Sequence, residues 1–168
     1  MITGENILYL SHKIPEFDHL LPLFVDIWSA VHAPDVLQGS ERDCRIVVDH
    51  IRSRIKRKQV LVPACLSDLV ERHLLTWARN AFRAKYSVTA NDSYKVEDLR
   101  DGRGQQVVVI DKETGVEQVD MHWSNGLHQF LQLKHGLKVS PLSLKAIFMS
   151  NISYFNQYKG RGWKFPIK

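Results

Sequence analysis

The pattern of apolar and polar residues predicts helices over most of the first 86 residues. In the segment 41–58, apolar residues recur at steps of three and four, which is the period of an amphipathic helix. This stripe consists of Cys44, Val47, Val48, Ile51 and Ile55. The segment 67–85 repeats the pattern, with a stripe formed by Val70, His73, Leu74, Trp77, Ala81 and Ala84. Because a lone histidine on an apolar stripe usually packs there, we interpret His73 as a packing residue, like Trp77.

The ends of these helices carry further signals. Ser67 is available as the N-cap of the second helix, and Asp68 and Glu71 suit the positive end of its dipole. The segment 15–33 is also richly apolar, and Pro22 should break or kink a helix there.

After Tyr86 the pattern changes to that of strands. The runs 94–99 (YKVEDL) and 105–111 (QQVVVID) are separated by the turn signal RDGRG, which predicts a hairpin with a buried second strand. A helical pattern returns at 123–136 and at 141–159. The predicted fold class is therefore α/β, mainly helical with a small β element.

Length and composition fit one compact domain or two small lobes. The chain has 168 residues, of which 44% are apolar and 24% charged, as in ordinary folded proteins. No apolar run approaches the length of a bilayer span, and the first residues do not resemble a secretory signal. The two cysteines, Cys44 and Cys65, are too few for a disulfide framework, so we expect a reducing, cytoplasmic setting.

The positive charge is partly clustered. The net charge is +5, and the segment Arg52–Lys58 (RSRIKRK) contains five basic residues in seven. Such a cluster attracts anionic lipid or nucleic acid, whereas basic residues also favour the last turn of a helix for its dipole. We interpret the segment as a solvated helix end. Contact with anionic lipid is the alternative, and we expect no specific nucleic acid.

Three histidines between Asp120 and Gly136 raise the question of a metal site. His128 and His135 lie seven residues apart, about 10 Å along a helix, which is too far for one zinc ion. The segment reads better as a helix with Ser124 or Asn125 as N-cap and Gly136 just past its end.

In this interpretation the helix is held by its apolar residues. Leu127, Phe130 and Leu131 form its inward stripe, and Trp123 is an anchor just outside it. Gly126 indicates close backbone approach. His128 makes a polar contact, and His122 and His135 are exposed.

The sequence contains no familiar catalytic motif. It lacks GxSxG, HExxH and the phosphate-binding GxxxxGK[ST], so we predict no catalytic, metal or nucleotide-binding residues. One strand nevertheless favours nucleotide binding. The buried strand ending at Asp111 is similar to the carboxylate-bearing strand ends of α/β nucleotide-binding domains.

The segments 107–115, 123–139 and 143–158 together resemble a contiguous block of the SecA family of preprotein translocase ATPases. That family typically reads IVDE-TGR, GRRWSDGLHQA-EAKEG and TLA-ITFQNYFR-Y, and the likeness here covers about Trp77–Tyr158. The matching positions are Val109, Ile110, Asp111, Thr114, Gly115, Trp123, Ser124, Gly126, Leu127, His128, Gln129, Lys134, Gly136, Phe155 and Tyr158.

The chain departs from the family pattern at charged positions. Lys112, Val116 and Asn125 replace a glutamate, an arginine and an aspartate, and the residues before His122 read VDM instead of GRR. These departures put bacterial-type coupling in doubt. The run QFLQLKHGL at 129–137 resembles divergent, eukaryotic SecA-like proteins more than a bacterial motor.

The resemblance implies a fragment of an ATP-dependent, helicase-like motor that transports proteins. Residues 1–88 would form the helical end of the preprotein cross-linking insertion. Residues 89–168 would form part of a RecA-type first nucleotide-binding domain, in which the matching residues are structural or interdomain. The substrate would be unfolded polypeptide, and the location cytoplasmic with peripheral membrane contact.

The resemblance also implies ATP and Mg²⁺ for the parent protein. Because this chain lacks a phosphate cradle, we expect it not to hydrolyse ATP alone. The alternative is a non-enzymatic module that binds peptides or anions.

Overall fold

The computed structural model describes residues 7–13, 15–34, 39–99, 104–111, 113–119, 121–140 and 142–150. In chain order the elements are β1 (Ile7–Lys13), a 3-10 turn (Pro15–Leu20), α1 (Leu21–Ala30), α2 (Glu41–Lys56), a second 3-10 turn (Ala64–Leu66), α3 (Ser67–Phe82), a π-helix (Arg83–Ser87), β2 (Tyr94–Leu99), β3 (Gly104–Ile110), β4 (Glu117–Gln118), α4 (Leu127–Lys134) and β5 (Ser143–Ser150). The chain is thus mixed, helical with small antiparallel sheets, and compatible with the predicted α/β class.

The chain divides into two units. The smaller unit comprises Met1–Ile14 and Ser143–Lys168, and its described part is the antiparallel pair of β1 and β5. The pairing runs from Ile7 opposite Ser150 to Lys13 opposite Ser143, with an irregularity between Leu10 and Ser11. The predictions of helix were wrong for residues 7–13 and 143–150. The rest of the predicted helix at 141–159, with Phe155 and Tyr158, lies outside the described residues. A short apolar run fits a strand or a helix equally well, and here the partner strand lies at the far end of the sequence.

The larger unit, Pro15–Leu142, holds the four helices and a three-stranded sheet in the order β2-β3-β4. Val88 lies inside this unit, and the functional division into residues 1–88 and 89–168 stays a prediction. The predicted hairpin is confirmed, since β2 pairs with β3 from Tyr94 opposite Val109 to Leu99 opposite Gly104. Val107, Val108 and Val109 are buried, as the unbroken apolar run predicts.

The two predicted amphipathic helices are confirmed. α2 buries Cys44, Val47, Val48 and Ile51, and its N-terminus carries a capping box. In that box Asp43 N–H donates to Ser40 Oγ, and Ser40 N–H donates to the Asp43 carboxylate. Pro22 lies in the first turn of α1, where a missing N–H costs least, so it marks the helix start as expected.

The predicted start of α3 was wrong in two details. The N-cap is Leu66, without a side-chain hydrogen bond, because the 3-10 turn leads directly into the helix. Ser67 instead donates its hydroxyl to Ala64 O. Glu71 lies beyond the first turn and pairs with Arg52 of α2.

The core of the larger unit is an aromatic cluster where α1, α3 and α4 meet. The ring centroid of Phe24 lies 5.0 Å from that of Trp77 and 5.1 Å from that of Phe130. All three side chains are buried, and such ring pairs stabilise a core beyond their buried area. α4 also contacts β3 and the π-helix, so this cluster links the helices to the sheet.

Gly126 is the point of closest approach in this cluster. Its φ of +80° is left-handed, and a Cβ placed there would lie 3.1 Å from Phe24 Cζ and 3.3 Å from Trp77 Cδ1. The predicted close approach is therefore confirmed. The predicted N-cap was wrong, because Gly126 itself is the N-cap of α4 rather than Ser124 or Asn125.

The two left-handed glycines that bracket α4 allow a matched test. Gly136 has a φ of +65°, and a Cβ there would meet nothing within 4 Å, whereas a Cβ at Gly126 would meet Phe24. Gly136→Ala should cost about 1 kcal/mol for backbone strain. Gly126→Ala should cost about 1–3 kcal/mol more, because Phe24 must also move. Urea denaturation of both variants measures the difference. Equal costs would contradict the close contact.

Candidate functional site

Asp111 and residues 113–116 form a tight turn between β3 and β4, the Asp111–Val116 turn. Asp111 Oδ1 accepts from Glu113 N–H at 3.0 Å, and Oδ2 accepts from the Thr114 hydroxyl at 2.8 Å. Gly115 N–H donates to Asp111 O at 2.7 Å, with the φ of +68° that glycine adopts freely. The N–H of Glu113 and the hydroxyl of Thr114 hold the pKa of the Asp111 carboxyl below its usual value. Asp111, Thr114 and Gly115 therefore build a turn.

This geometry does not fit a magnesium site. Both oxygens of Asp111 are engaged within the turn, and β3 lies in an antiparallel sheet instead of a parallel one with a ligand edge. The analogy between Asp111 and a nucleotide-binding strand end was therefore wrong. Within the residues that the structure describes, no three His, Cys, Asp or Glu side chains form a group that could hold a metal ion.

The start of α4 is fixed by a hydrogen bond from α3. Asn80 is buried, and its Nδ2 donates to the carbonyl of Asn125 at 2.9 Å. Leu127, the first residue of the helix, is buried as predicted. Trp123 is only half-buried, with its ring 6.2 Å from Tyr94, so it is a weaker anchor than expected. Trp77 provides the buried indole of this core.

His128 is almost fully buried, with 1% of its surface exposed. Its Nδ1 has no hydrogen-bond partner among the described residues, so the predicted polar contact is not formed by that atom. The ring lies 4.2 Å from the ring of His122 and 6.4 Å from Trp123. Burial, and then the nearby His122, lower the pKa of His128 to about 3. His128 is therefore neutral at physiological pH.

Two glutamine side chains extend the buried face of α4. Gln132 Oε1 accepts from the backbone N–H of Ser140 at 2.8 Å and from its hydroxyl at 3.1 Å. Gln129 Nε2 donates to Ser140 O at 3.4 Å. Residues 137–140 are thereby held against α4. The helix is buried on more sides than the predicted stripe of Leu127, Phe130 and Leu131.

The end of α4 is anchored to the segment after α3. Lys134 Nζ donates to Ala84 O at 2.7 Å and to Val88 O at 3.2 Å, at the π-helix. Burial lowers the pKa of this ammonium group. Gly136 closes the helix as predicted, since its N–H donates to Leu133 O while Leu137 N–H donates to Gln132 O, which is a Schellman motif.

His135 has a partner that the sequence did not reveal. His135 is exposed, as predicted, and its Nε2 is also hydrogen-bonded to the hydroxyl of Tyr94 at 2.7 Å. Tyr94 is fully buried on β2, and this bond gives its hydroxyl a partner. Tyr94, Asn80 and Phe24 were all missed as site residues. Only Tyr94 gave a signal, as the first residue of a predicted strand.

A cleft of about 500 Å³ opens between the π-helix, the sheet and the segment before α4. Its lining is about equally polar and apolar, with Arg83 and Ser87 contributed by the π-helix; the residues are Arg83, Ser87, Val88, Ser93, Val109, Ile110, Asp111, Gln118, Met121, Trp123 and Leu127. Nearby, Val116, Val119 and Met121 are exposed to 58%, 38% and 38%. A cleft that combines apolar side chains with polar groups, beside exposed apolar residues, is typical of a binding surface.

Two of the five basic residues in the segment Arg52–Lys58 form ion pairs within the fold. Arg52 pairs with Asp49 and Glu71, and Arg54 pairs with Asp26 at 3.4 Å. Lys56, Arg57 and Lys58 have no ion pair among the described residues. Ion pairs thus account for less than half of the cluster. Lipid binding by the remainder stays a prediction.

A comparison of the sequence with known families matches part of the chain to one family of domains. The profile of the SecA preprotein cross-linking domain matches residues 45–132, slightly more than half of the chain. The chain therefore belongs to the SecA preprotein cross-linking domain family. The match crosses the predicted division at residue 88, and a motor domain within residues 89–168 stays a prediction.

Individual relatives agree with this assignment. A protein translocase subunit SecA from Symbiobacterium thermophilum is 30% identical over 86 residues, which are 51% of this chain and 9% of that protein. The chloroplastic SecA subunit of Pisum sativum is 27% identical over 135 residues (74% and 12%), and that of Rickettsia africae 29% over 112 residues (66% and 12%). The chain thus spans about a tenth of the length of these relatives. Within the described part of the chain, no helix is long and apolar enough to cross a membrane.

The buried state of His128 predicts how stability depends on pH. Its pKa is about 3 in the folded chain and near 6.5 when unfolded, so the unfolded chain binds more protons between these values. Stability should be full above pH 6.5 and fall as pH decreases, by about 2 kcal/mol at pH 5. The lowered pKa of His135, caused by burial and then Lys134, acts in the same direction.

Chemical denaturation between pH 5 and 7.5 measures this slope. His128→Leu should remove most of it and leave the smaller part due to His135. His50→Gln, at an exposed position of α2, is the control and should keep the full slope. An unchanged slope in His128→Leu would show that the histidine does not stay neutral.

Proposed function

We propose that this chain is the polypeptide-contacting part of a SecA-type protein translocase and that it binds unfolded segments in the cleft beside β3. The observation that carries the proposal is the cleft lined by both apolar and polar side chains, with Val116, Val119 and Met121 exposed nearby, within a chain of the SecA preprotein cross-linking domain family. Unfolded polypeptides expose apolar side chains that such a surface removes from water.

The surroundings of the cleft suit this task because they are fixed before a ligand arrives. Asn80 holds the start of α4, Lys134 holds its end against the π-helix, and the Asp111–Val116 turn closes one side of the sheet. A preformed surface loses little conformational entropy on binding.

In this proposal the residues shared with the SecA pattern hold the surroundings of the cleft in place. Asp111, Thr114 and Gly115 shape the turn, Gly126 and Leu127 set the start of α4, and His128 and Gln129 fill its buried face. Lys134 and Gly136 fix its end. Trp123 also lines the cleft, with a half-buried ring.

Motor activity, with its ATP and Mg²⁺, belongs in this proposal to parts of SecA-type proteins outside the matched segment. We further propose a cytoplasmic location with weak membrane contact through Arg52–Lys58. Vesicle binding that persists unchanged as salt is raised would contradict an electrostatic contact of that kind.

A pair of matched variants tests the peptide site. Met121→Gln removes an apolar side chain beside the cleft, and Leu61→Gln makes the same kind of change at a residue 75% exposed elsewhere on the unit. We expect Met121→Gln to weaken binding of an uncharged, apolar, unstructured peptide about fivefold, for roughly 1 kcal/mol of lost burial. Leu61→Gln should leave binding unchanged.

Fluorescence anisotropy with the labelled peptide measures both constants, after circular dichroism confirms that each variant is folded. Leu61 lines another cleft, of about 600 Å³, near α1. If only Leu61→Gln weakened binding, the peptide would occupy that other cleft, which would contradict the proposal.

A further inference from the structure

The two charged residues that line the cleft beside β3, Arg83 and Asp111, differ in what they can offer a ligand. Both oxygens of Asp111 already accept hydrogen bonds within their own turn. Arg83 is exposed and, within the described ranges, takes part in no ion pair. The guanidinium group is thus the charged group of the cleft with donors to offer a ligand.

The backbone that carries Arg83 is held on both sides. The π-helix begins at Arg83, whose carbonyl accepts from Val88 N–H at 2.9 Å. Lys134 Nζ donates to Ala84 O in the middle of this helix, and Lys85 Nζ donates to Val31 O at 2.8 Å, beyond the end of α1. π-helical turns are rare and often lie at functional sites.

The π-helix also explains why two polar residues reach the same cleft. Arg83 and Ser87 are four residues apart, and the wider turn of a π-helix places such residues on nearly the same face. Both line the cleft together with the apolar residues of β3 and Trp123. The cleft thus presents one cation, two serine residues, Gln118 and the turn carboxylate Asp111 to a ligand, together with apolar side chains.

We propose that the cleft prefers polypeptide segments in which an acidic side chain stands beside apolar ones, and that Arg83 binds the carboxylate. This inference rests on the proposed function and names the substrate class of the same site. A guanidinium group pairs with a carboxylate through two parallel hydrogen bonds, which gives selectivity by geometry as well as charge. Because Arg83 is exposed, the preference is modest rather than absolute.

Three labelled, unstructured peptides test the preference. They share one apolar sequence and differ only in a central Glu, Gln or Lys. With the full chain at low salt, we expect the Glu peptide to bind about threefold to tenfold more tightly than the Gln peptide, and the Lys peptide most weakly. Raising the salt concentration should shrink the difference.

Arg83→Gln should abolish the advantage of the Glu peptide over the Gln peptide. Arg72→Gln is the matched control: Arg72 is exposed on α3, its Nε donates to Asp68 O, and it does not line the cleft. This control should keep the preference.

The possible failures separate the two proposals. Equal binding of all three peptides would overturn the charge preference and leave the peptide site standing. An equal loss of all three in a folded Arg83→Gln would also overturn it, since Arg83 would then be structural. Failure of every peptide to bind the unaltered chain would contradict the proposed function itself.

Discussion

The approach of the Gly126 backbone to Phe24 and Trp77 is the constraint on which the larger unit depends. A side chain at Gly126 would displace Phe24 from the aromatic cluster that joins α1, α3 and α4. The left-handed φ of Gly126 also sets the direction in which α4 leaves the preceding segment. Since α4 contacts β3 and the π-helix, this one contact fixes the distance between the helical cluster and the walls of the cleft.

Polar contacts also hold α4 in place, in addition to the aromatic cluster. Asn80 and Lys134 bind backbone carbonyls near the two ends of α4, and Gln132 binds the segment that follows it. These bonds are buried or half-buried, where leaving a carbonyl without a partner is costly. The neutral His128 is one exception, since its Nδ1 lacks a partner within the described chain. The same burial that stabilises the helix thus makes stability sensitive to acid.

Local patterns predicted the elements that local forces determine. The stripes of α2 and α3 follow from helical period, and the β2–β3 hairpin follows from a glycine-containing turn between β-branched runs. The glycines around α4 also gave correct signals, since Gly126 marks a close approach and Gly136 ends the helix. The stripes, the hairpin and the turn at Gly136 depend on residues that are neighbours in the chain, whereas Gly126 approaches the distant Phe24 and Trp77.

Contacts between residues that are distant in the chain could not be predicted from local sequence patterns. β1 pairs with β5 across almost the whole sequence, and Tyr94 bonds to His135 across 41 positions. The cleft draws its lining from the π-helix, the sheet and the segment before α4, and the π-helix itself has no sequence signature. The role of Asp111 was misread because a carboxylate after a buried strand serves a turn here instead of a ligand.

The central claim is that unfolded polypeptide occupies the cleft beside β3. Hydrogen exchange followed by mass spectrometry, with and without a saturating unstructured peptide, tests it most directly because it locates the ligand without altering the chain. The account predicts slower exchange in peptides covering 83–88 and 109–123, with residues 59–63 unaffected. Protection confined to 59–63, or spread evenly over the chain, would contradict it.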